Sequence, residues 1–258
     1  DDIATVKYSM EKAIHTAKSH PVGPVWIECP IDIQAATFDP DDYDGFSPEE
    51  DTSSQAEIKD KFSLVNEAIR NAKRPCILAG PGVRLAGAVE SFNRIVQKLN
   101  IPVLTSRLGM DLMGHHNPLF IGRPGTYGDR PANFTIQNSD LLLTIGCRLS
   151  IGLIGHDYQD FAPNAKKIMV DIDEKELTKP SVSPDIPVQA DAKDFIEALD
   201  TELDDFRFSN GDWLEKTKAW KSKYPVNLPE YKNEKEGINS YHFINVLSEK
   251  SSDDDVFL

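Results

Sequence analysis

Hydrophobic positions along the chain fall into two regimes. Within the first 34 residues Val6, Met10, Ala13, Ile14 and Ala17 recur at helical spacing, and His20-Pro21-Val22-Gly23-Pro24 ends that helix. Val25-Trp26-Ile27-Glu28 then reads as a short strand closed by Pro30. One helix and one strand cannot bury their own apolar faces, so this piece reads as the tail of a preceding domain. From Ser54 the pattern becomes regular. Ile58, Phe62, Val65 and Ile69 mark an amphipathic helix that Pro75 stops. Six short apolar runs follow, at residues 76–79, 102–105, 119–121, 141–145, 168–172 and 187–189, with helical or looped stretches between them. Several are continuously apolar, as strands buried on both faces are. Buried strands separated by helices imply right-handed crossovers. The predicted fold is α/β: a Rossmann-like six-stranded parallel sheet with helices on both faces.

Two polar connectors divide the chain. Residues 37–54 carry seven acids (Asp39, Asp41, Asp42, Asp44, Glu49, Glu50 and Asp51) and no Lys or Arg, beside Pro40, Gly45 and Pro48. Self-repulsion and turn residues favour an extended, solvated linker there. Phe195, Leu199 and Leu203 suggest a closing helix, and Trp213, Lys216 and Trp220 another, before a second Pro-bearing connector at 225–237. Tyr241, Ile244, Val246 and Leu247 then start a helix, and Val256-Phe257-Leu258 reads as the start of a strand. The expected layout is a remnant of one domain at 1–36, the acidic linker at 37–54 and a central domain at 55–207. A helix and linker at 208–238 lead to the start of a third domain at 239–258.

Composition narrows the function classes. With 28 basic and 42 acidic side chains the net charge is −14, and 40% hydrophobic content is ordinary for a globular protein. A phosphate backbone or anionic lipid surface would be repelled, so neither nucleic acid nor membrane is an expected partner. No apolar run approaches the about 20 residues that span a bilayer, and no secretory leader is evident. Cys29, Cys76 and Cys147 are widely spaced without a CxxC, as reduced thiols of a cytoplasmic protein would be.

Candidate chemistry gathers at strand ends. Gly80-Pro81-Gly82-Val83-Arg84-Leu85 follows the first strand, where a glycine turn can bring backbone amides to a phosphate. Leu85 holds the third glycine's place of the dinucleotide fingerprint, and the second strand (Pro102 to Ser106) ends without the ribose-binding acid. An ordinary nicotinamide dehydrogenase is disfavoured; a tight turn with no ligand is the plain alternative. Gly122-Arg123-Pro124-Gly125-Thr126-Tyr127-Gly128 is a second glycine-rich stretch, and Arg123 is either a phosphate or carboxylate ligand or a surface arginine in a loop. Arg148 leaves the fourth strand where a guanidinium can grip an anion bidentately. Asp171 and Asp173, two residues apart, could accept ribose hydroxyls or the Arg148 side chain; Asp173 and Asp191 are equally read as helix N-caps. No HExxH, Gly-x-Ser-x-Gly or phosphate-loop lysine motif occurs. Neither a catalytic constellation nor a metal site is expected within the chain.

The ordered set carries more than any one motif. Val22-Gly23-Pro24-Val25-Trp26-Ile27-Glu28-Cys29-Pro30 with Asp32-Ile33-Gln34 resembles the end of the pyrimidine-binding domain of thiamine diphosphate enzymes. Next come Arg74-Pro75, the Gly80–Gly82 turn, Ile101-Pro102-Val103, Asn138-Ser139-Asp140-Leu141-Leu142-Leu143 and Gly146-x-Arg148. Phe161-Ala162-Pro163-Asn164-Ala165-Lys166, Val170-Asp171-Ile172-Asp173 and Ala190-Asp191 complete the series. Together these resemble the central domain of the acetolactate synthase-like family, and Tyr241-His242-Phe243 resembles the first helix of its pyrophosphate-binding domain.

The resemblance implies a transferase or lyase that decarboxylates a small-molecule 2-keto acid and passes on the acyl carbanion equivalent, as a homo-oligomer (dimer or tetramer). It implies thiamine diphosphate and Mg2+ in the complete enzyme, held outside this chain, which by itself is catalytically incomplete. FAD or ADP is the expected ligand of the central domain, with Gly80, Gly82, Arg123, Arg148, Asp171, Asp173 and Asp191 as candidates. The family's Arg-Phe-Asp-Asp-Arg-Val-Thr-Gly is here Arg148-Leu149-Ser150-Ile151-Gly152-Leu153-Ile154-Gly155, without both acids and the second arginine. That departure leaves open an ADP-type effector in place of flavin, and a related carboligase or decarboxylase working on another 2-keto acid. The alternative reading is a non-catalytic nucleotide-binding or scaffolding domain.

Overall fold

The computed structural model describes residues 2–19, 22–48, 53–209, 211–252 and 254–256. In chain order the helices and strands are α1 (Val6–Lys18), α2 (Ile31–Ala35), α3 (Ser53–Asn71), β1 (Pro75–Ala79), α4 (Gly82–Leu85) and α5 (Val89–Leu99). There follow β2 (Val103–Thr105), β3 (Phe120–Gly122), α6 (Arg130–Asn138), β4 (Leu141–Ile145), α7 (Ile151–Ile154) and β5 (Lys166–Asp171). The series closes with α8 (Glu174–Thr178), β6 (Ile186–Gln189), α9 (Ala192–Glu202), α10 (Gly211–Lys223) and α11 (Ser240–Lys250).

All six strands pair in parallel in the order β3-β2-β1-β4-β5-β6. The order reverses between β1 and β4, and a crevice at such a switch point, beyond the carboxyl ends of the strands, is where open α/β sheets bind ligands. β1 and β4 are buried along their whole length, which explains their unbroken apolar sequence. Alternate residues serve opposite faces: Ile77, Leu143, Ile168 and Val188 meet Val65, Phe92, Phe195 and Leu199 of α3, α5 and α9. Cys76, Leu78, Leu142 and Met169 face Ala132 and Ile136 of α6 and Leu177 of α8. The helices therefore cover both faces, as the sequence pattern requires.

Local chemistry sets the ends of these elements. Asn100, in the left-handed conformation at φ 56°, stops α5 ahead of β2. Pro102 cannot donate to a ladder, so β2 starts at Val103. β3 is an edge strand, and α10 covers it: Lys221 Nζ donates to the carbonyl oxygens of Phe120 (2.7 Å) and His115 (2.9 Å). Trp213 anchors the same helix through Nε1, which donates to the Pro75 carbonyl at 2.9 Å.

The outer segments differ from expectation. The strand anticipated at Val25–Glu28 does not form: residues 22–30 are in neither helix nor ladder, and Trp26 is 86% exposed. An apolar run makes a strand only where a neighbouring strand takes up its backbone groups. The acidic linker is not free over 37–48. Phe46 packs on Tyr8 and His15 of α1, and its N–H donates to Glu11 at 2.7 Å. Three aromatics (Phe38, Tyr43 and Phe46) outweigh the charge repulsion there. The linker acids Glu49, Glu50 and Asp51, the His20-Pro21 helix stop and Phe257-Leu258 lie outside the described residues. Val256 is irregular and exposed. No described helix is long and apolar enough to cross a membrane.

Candidate functional site

The carboxyl edge of the sheet assembles most of the candidate residues. Gly80 follows β1, Ser106 follows β2, Arg123 follows β3, Gly146 to Arg148 follow β4, Asp171 ends β5 and Asp191 follows β6. Five large apolar side chains, Leu85, Leu108, Met110, Tyr127 and Ile151, stand exposed on these same connections. Such an apolar rim around polar groups is typical of a surface that meets a ligand or another protein surface.

The first glycine turn is used for close packing. A Cβ on Gly80 would lie 2.1 Å from the Gly146 carbonyl oxygen, and one on Gly82 would lie 2.6 Å from the Gly146 Cα. Gly146 itself sits at φ +55° against Gly82. The loops after β1 and β4 are thus pressed together backbone to backbone at the switch point. The amides of this turn are committed within the protein. Gly80 N–H donates to Ile145 (2.9 Å), Gly82 N–H to Gly146 (3.0 Å) and Val83 N–H to Gly80 (3.3 Å), while Pro81 has none. The amide cradle expected of Gly80 and Gly82 is therefore absent, because the neighbouring loop takes up the donors a phosphate would need.

The second glycine-rich stretch is also a closed loop, but it reaches inward. Asp129 accepts the Arg123 N–H at 2.9 Å and returns its own N–H to the Arg123 carbonyl at 2.7 Å. The Asn133 side chain holds both backbone groups of Gly125. Thr126 N–H donates to Gly152 of α7 at 3.0 Å, although β3 and β4 are separated by three strand spacings, roughly 14 Å. The segments that follow β3 and β4 therefore meet across the intervening β2 and β1. The half-buried Arg123 guanidinium finds no hydrogen-bond acceptor among the described residues.

At the other side of the switch point Arg148 projects outward, with its side chain 65% exposed. Its Nε pairs with Glu176 at 3.1 Å, and NH2 lies 3.9 Å from Asp173. The close partner is Glu176, not the aspartate pair the sequence suggested. Asp173 is turned to its own helix, accepting the Lys175 N–H at 3.0 Å as the N-cap of α8. Asp191 caps α9 in the same way through Lys193 N–H at 2.7 Å. Asp171 differs. Only 8% exposed, it accepts the Asp173 N–H at Oδ1, and no described residue donates to Oδ2. Burial raises its carboxyl above the ordinary value, opposed by that hydrogen bond.

Two further groups went unnoticed in the sequence. The Thr105 and Ser106 hydroxyls at the end of β2 are buried; Thr105 makes no hydrogen bond among the described residues, and Ser106 has the Cys147 thiol beside it. Thr105 is a polar group removed from water without compensation, an arrangement that calls for a partner. Sequence reading looked there for an acid and passed over the hydroxyls. Cys147 lies in the same region, but burial pushes its thiol up to about 11, leaving an inert side chain. Among the described residues no group of three His, Cys, Asp or Glu side chains is arranged to hold a metal ion.

Comparison with known proteins agrees with this architecture. The family model of the thiamine pyrophosphate enzyme central domain matches residues 63–199, from within α3 to within α9. The probable acetolactate synthase large subunit of Methanococcus aeolicus is 38% identical over 200 residues, covering 74% of this chain and 32% of its own length. The corresponding protein of Methanocaldococcus jannaschii is 33% identical over 236 residues, covering 88% of this chain and 38% of its own. The acetolactate synthase large subunit of Lactococcus lactis aligns with 100% of the chain at 26% identity, over 44% of its own length. The chain thus spans about a third of the first two relatives, 32% and 38%.

Proposed function

The chain belongs to the thiamine pyrophosphate enzymes through their central domain, and from that premise we propose that it is the central region of a thiamine diphosphate-dependent enzyme that decarboxylates or joins 2-keto acids. The observation that carries this reading is the reach of the relatives. Proteins named as acetolactate synthase large subunits align beyond the six-stranded domain and into the outer segments. When bound, thiamine diphosphate with Mg2+ supplies the carbanion-stabilising chemistry. In this reading both are held by parts of the enzyme other than this domain, and the domain contributes scaffold and a nucleotide site. A small 2-keto acid is the substrate, and a cytoplasmic homo-oligomer is the working form.

The carboxyl edge fits a nucleotide such as ADP or FAD. The buried Thr105 hydroxyl, without a partner among the described residues, supports this, as does Arg148 with its side chain 65% exposed. Arg148 grips the diphosphate. Asp171 accepts a ribose hydroxyl at Oδ2. Arg123, on the loop that meets the segment after β4, supplies a second positive charge. Gly80 and Gly82 act indirectly, by letting the loops after β1 and β4 meet. Asp173 and Asp191 shape the helix starts that border the site.

Activity tests the enzymatic part. Placing this chain between the flanking domains of the Methanococcus aeolicus relative should give pyruvate consumption that requires thiamine diphosphate and Mg2+. A folded chimera inert toward a broad panel of 2-keto acids would sink that reading, and would leave a nucleotide-binding scaffold if ADP or FAD still bound.

A further inference from the structure

The loop after β4 holds an unfavourable backbone. Gly146 and Leu149 both lie in the left-handed region, at φ 55° and 47°. For leucine this conformation crowds Cβ against the following carbonyl, and its side chain is 3% exposed, so the strain is fixed in the core. Such a conformation persists only where surrounding contacts over-determine it. Packing of Gly80 and Gly82 on Gly146 supplies one side of that restraint.

The other side comes from α8. Lys179, immediately after that helix, sends its Nζ to the carbonyl oxygens of Arg148 and Leu149 and to Glu176 Oε2 at 2.8 Å. Glu176 turns its second oxygen to Arg148 Nε at 3.1 Å. The Lys179 and Glu176 side chains are only 20% and 18% exposed, against 65% for Arg148. One ammonium therefore ties together the loop backbone and the carboxylate that orients the guanidinium. Glu176 holds the Nε side and Asp173 lies 3.9 Å from NH2, while the side chain stays 65% exposed, so an anion can still reach the guanidinium and be bound bidentately.

We propose that Glu176 and Lys179 are positioning residues: Lys179 clasps the loop of residues 146–149, and Glu176 sets the direction in which Arg148 meets an anionic ligand. The inference rests on the reading of Arg148 as an anion grip, but the clasp can be measured without any ligand. The Arg148 Nε–H signal in proton–nitrogen spectra of the whole chain, assigned with Arg148→Lys, reports the Glu176 contact directly. It should exchange slowly in the wild type and in Lys179→Arg, and be lost in Lys179→Met and Glu176→Gln. ADP is the binding probe. Its dissociation constant should rise about tenfold in Lys179→Met and Glu176→Gln and stay within about twofold in Lys179→Arg. Glu176→Gln keeps the side chain's shape and carries the test where Lys179→Met fails to fold. An Arg148 signal unchanged in a folded Lys179→Met or Glu176→Gln chain overturns the proposal, whatever ADP does. A wild type that shows the protected signal but binds neither ADP nor FAD overturns the nucleotide reading and upholds the clasp.

Discussion

Replacing Gly80 with alanine is the sharpest structural perturbation available at the switch point. The new Cβ would lie 2.1 Å from the Gly146 carbonyl oxygen and 2.5 Å from the Cys147 Cα, where an unstrained carbon-to-oxygen contact needs about 3.3 Å. The two loops must part by roughly 1 Å, and both obstacles are backbone, so no side chain can rotate away to relieve the contact. Parting also strains the Gly80–Ile145 and Gly82–Gly146 hydrogen bonds, at 2.9 and 3.0 Å. Overpacking costs about 1–3 kcal/mol and each lost hydrogen bond about 1 kcal/mol. The expected destabilisation of Gly80→Ala is therefore about 3–5 kcal/mol, a large share of the roughly 5–15 kcal/mol that holds a domain folded. Two controls separate the causes. Gly87 has open space around it but φ +67°, so Gly87→Ala should cost only the left-handed strain of about 1–2 kcal/mol. Gly152 lies in α7 with open space and no positive φ, so Gly152→Ala should stabilise by about 0.5–1 kcal/mol. Urea unfolding followed by circular dichroism, with the slopes checked for constancy, gives all three numbers. A Gly80→Ala chain within about 1 kcal/mol of wild type would refute the reasoning, since overpacking alone should exceed that.

Other expected outcomes follow from single contacts. Trp213→Phe removes the buried bond to the Pro75 carbonyl and should cost about 1–3 kcal/mol in the same assay; an unchanged midpoint would contradict the anchoring role of α10. Cys29 is exposed, whereas burial pushes Cys76 up to about 12 and Cys147 up to about 11. One thiol should therefore react with a disulfide reagent in the folded chain and the other two only on unfolding, and a second fast thiol would count against this packing. Burial lifts the Asp171 carboxyl above 3.8, so the folded chain keeps that proton at a pH where the unfolded chain has released it. Stability is then lost as pH rises from 3.8 through the raised folded value. Asp171→Asn should be more stable than wild type at neutral pH and equal to it in acid below 3.8; a difference that grows toward acid would reverse the assignment.

The sheet was legible because burial on both faces leaves little choice of residue. Residues 141–145 coincide with β4, and 76–79 miss only Pro75 of β1. β5 begins two residues before the expected 168, since Lys166 and Lys167 sit at its solvent-facing start and do not look like core. Residues 22–30 show the limit of pattern reading: the short apolar run at Val25–Ile27 was present, but no described strand pairs with it. At the site, the positions of Arg148 and Asp171 followed from strand ends, while their partners did not. Glu176 and Lys179 lie 28 and 31 residues beyond Arg148, and only the pairing of β4 with β5 brings them together. Their one sequence signal was the Glu–Lys spacing of three beside the aspartate pair. The glycines misled for a physical reason. A missing Cβ permits close approach of any backbone, and here the neighbour at Gly80 and Gly82 is Gly146.

A thermal-shift titration with ADP and FAD, run on the wild type and on Arg148→Ala, tests the central claim most directly. NAD and thiamine diphosphate with Mg2+ serve as controls. A ligand present at about 100 times its dissociation constant adds about 2.7 kcal/mol to the folded state. The account predicts such a shift with ADP or FAD, none with the controls, and its loss in an Arg148→Ala chain whose unliganded midpoint is nearly unchanged. A wild type indifferent to both nucleotides, or a shift that survives the loss of Arg148, would contradict it.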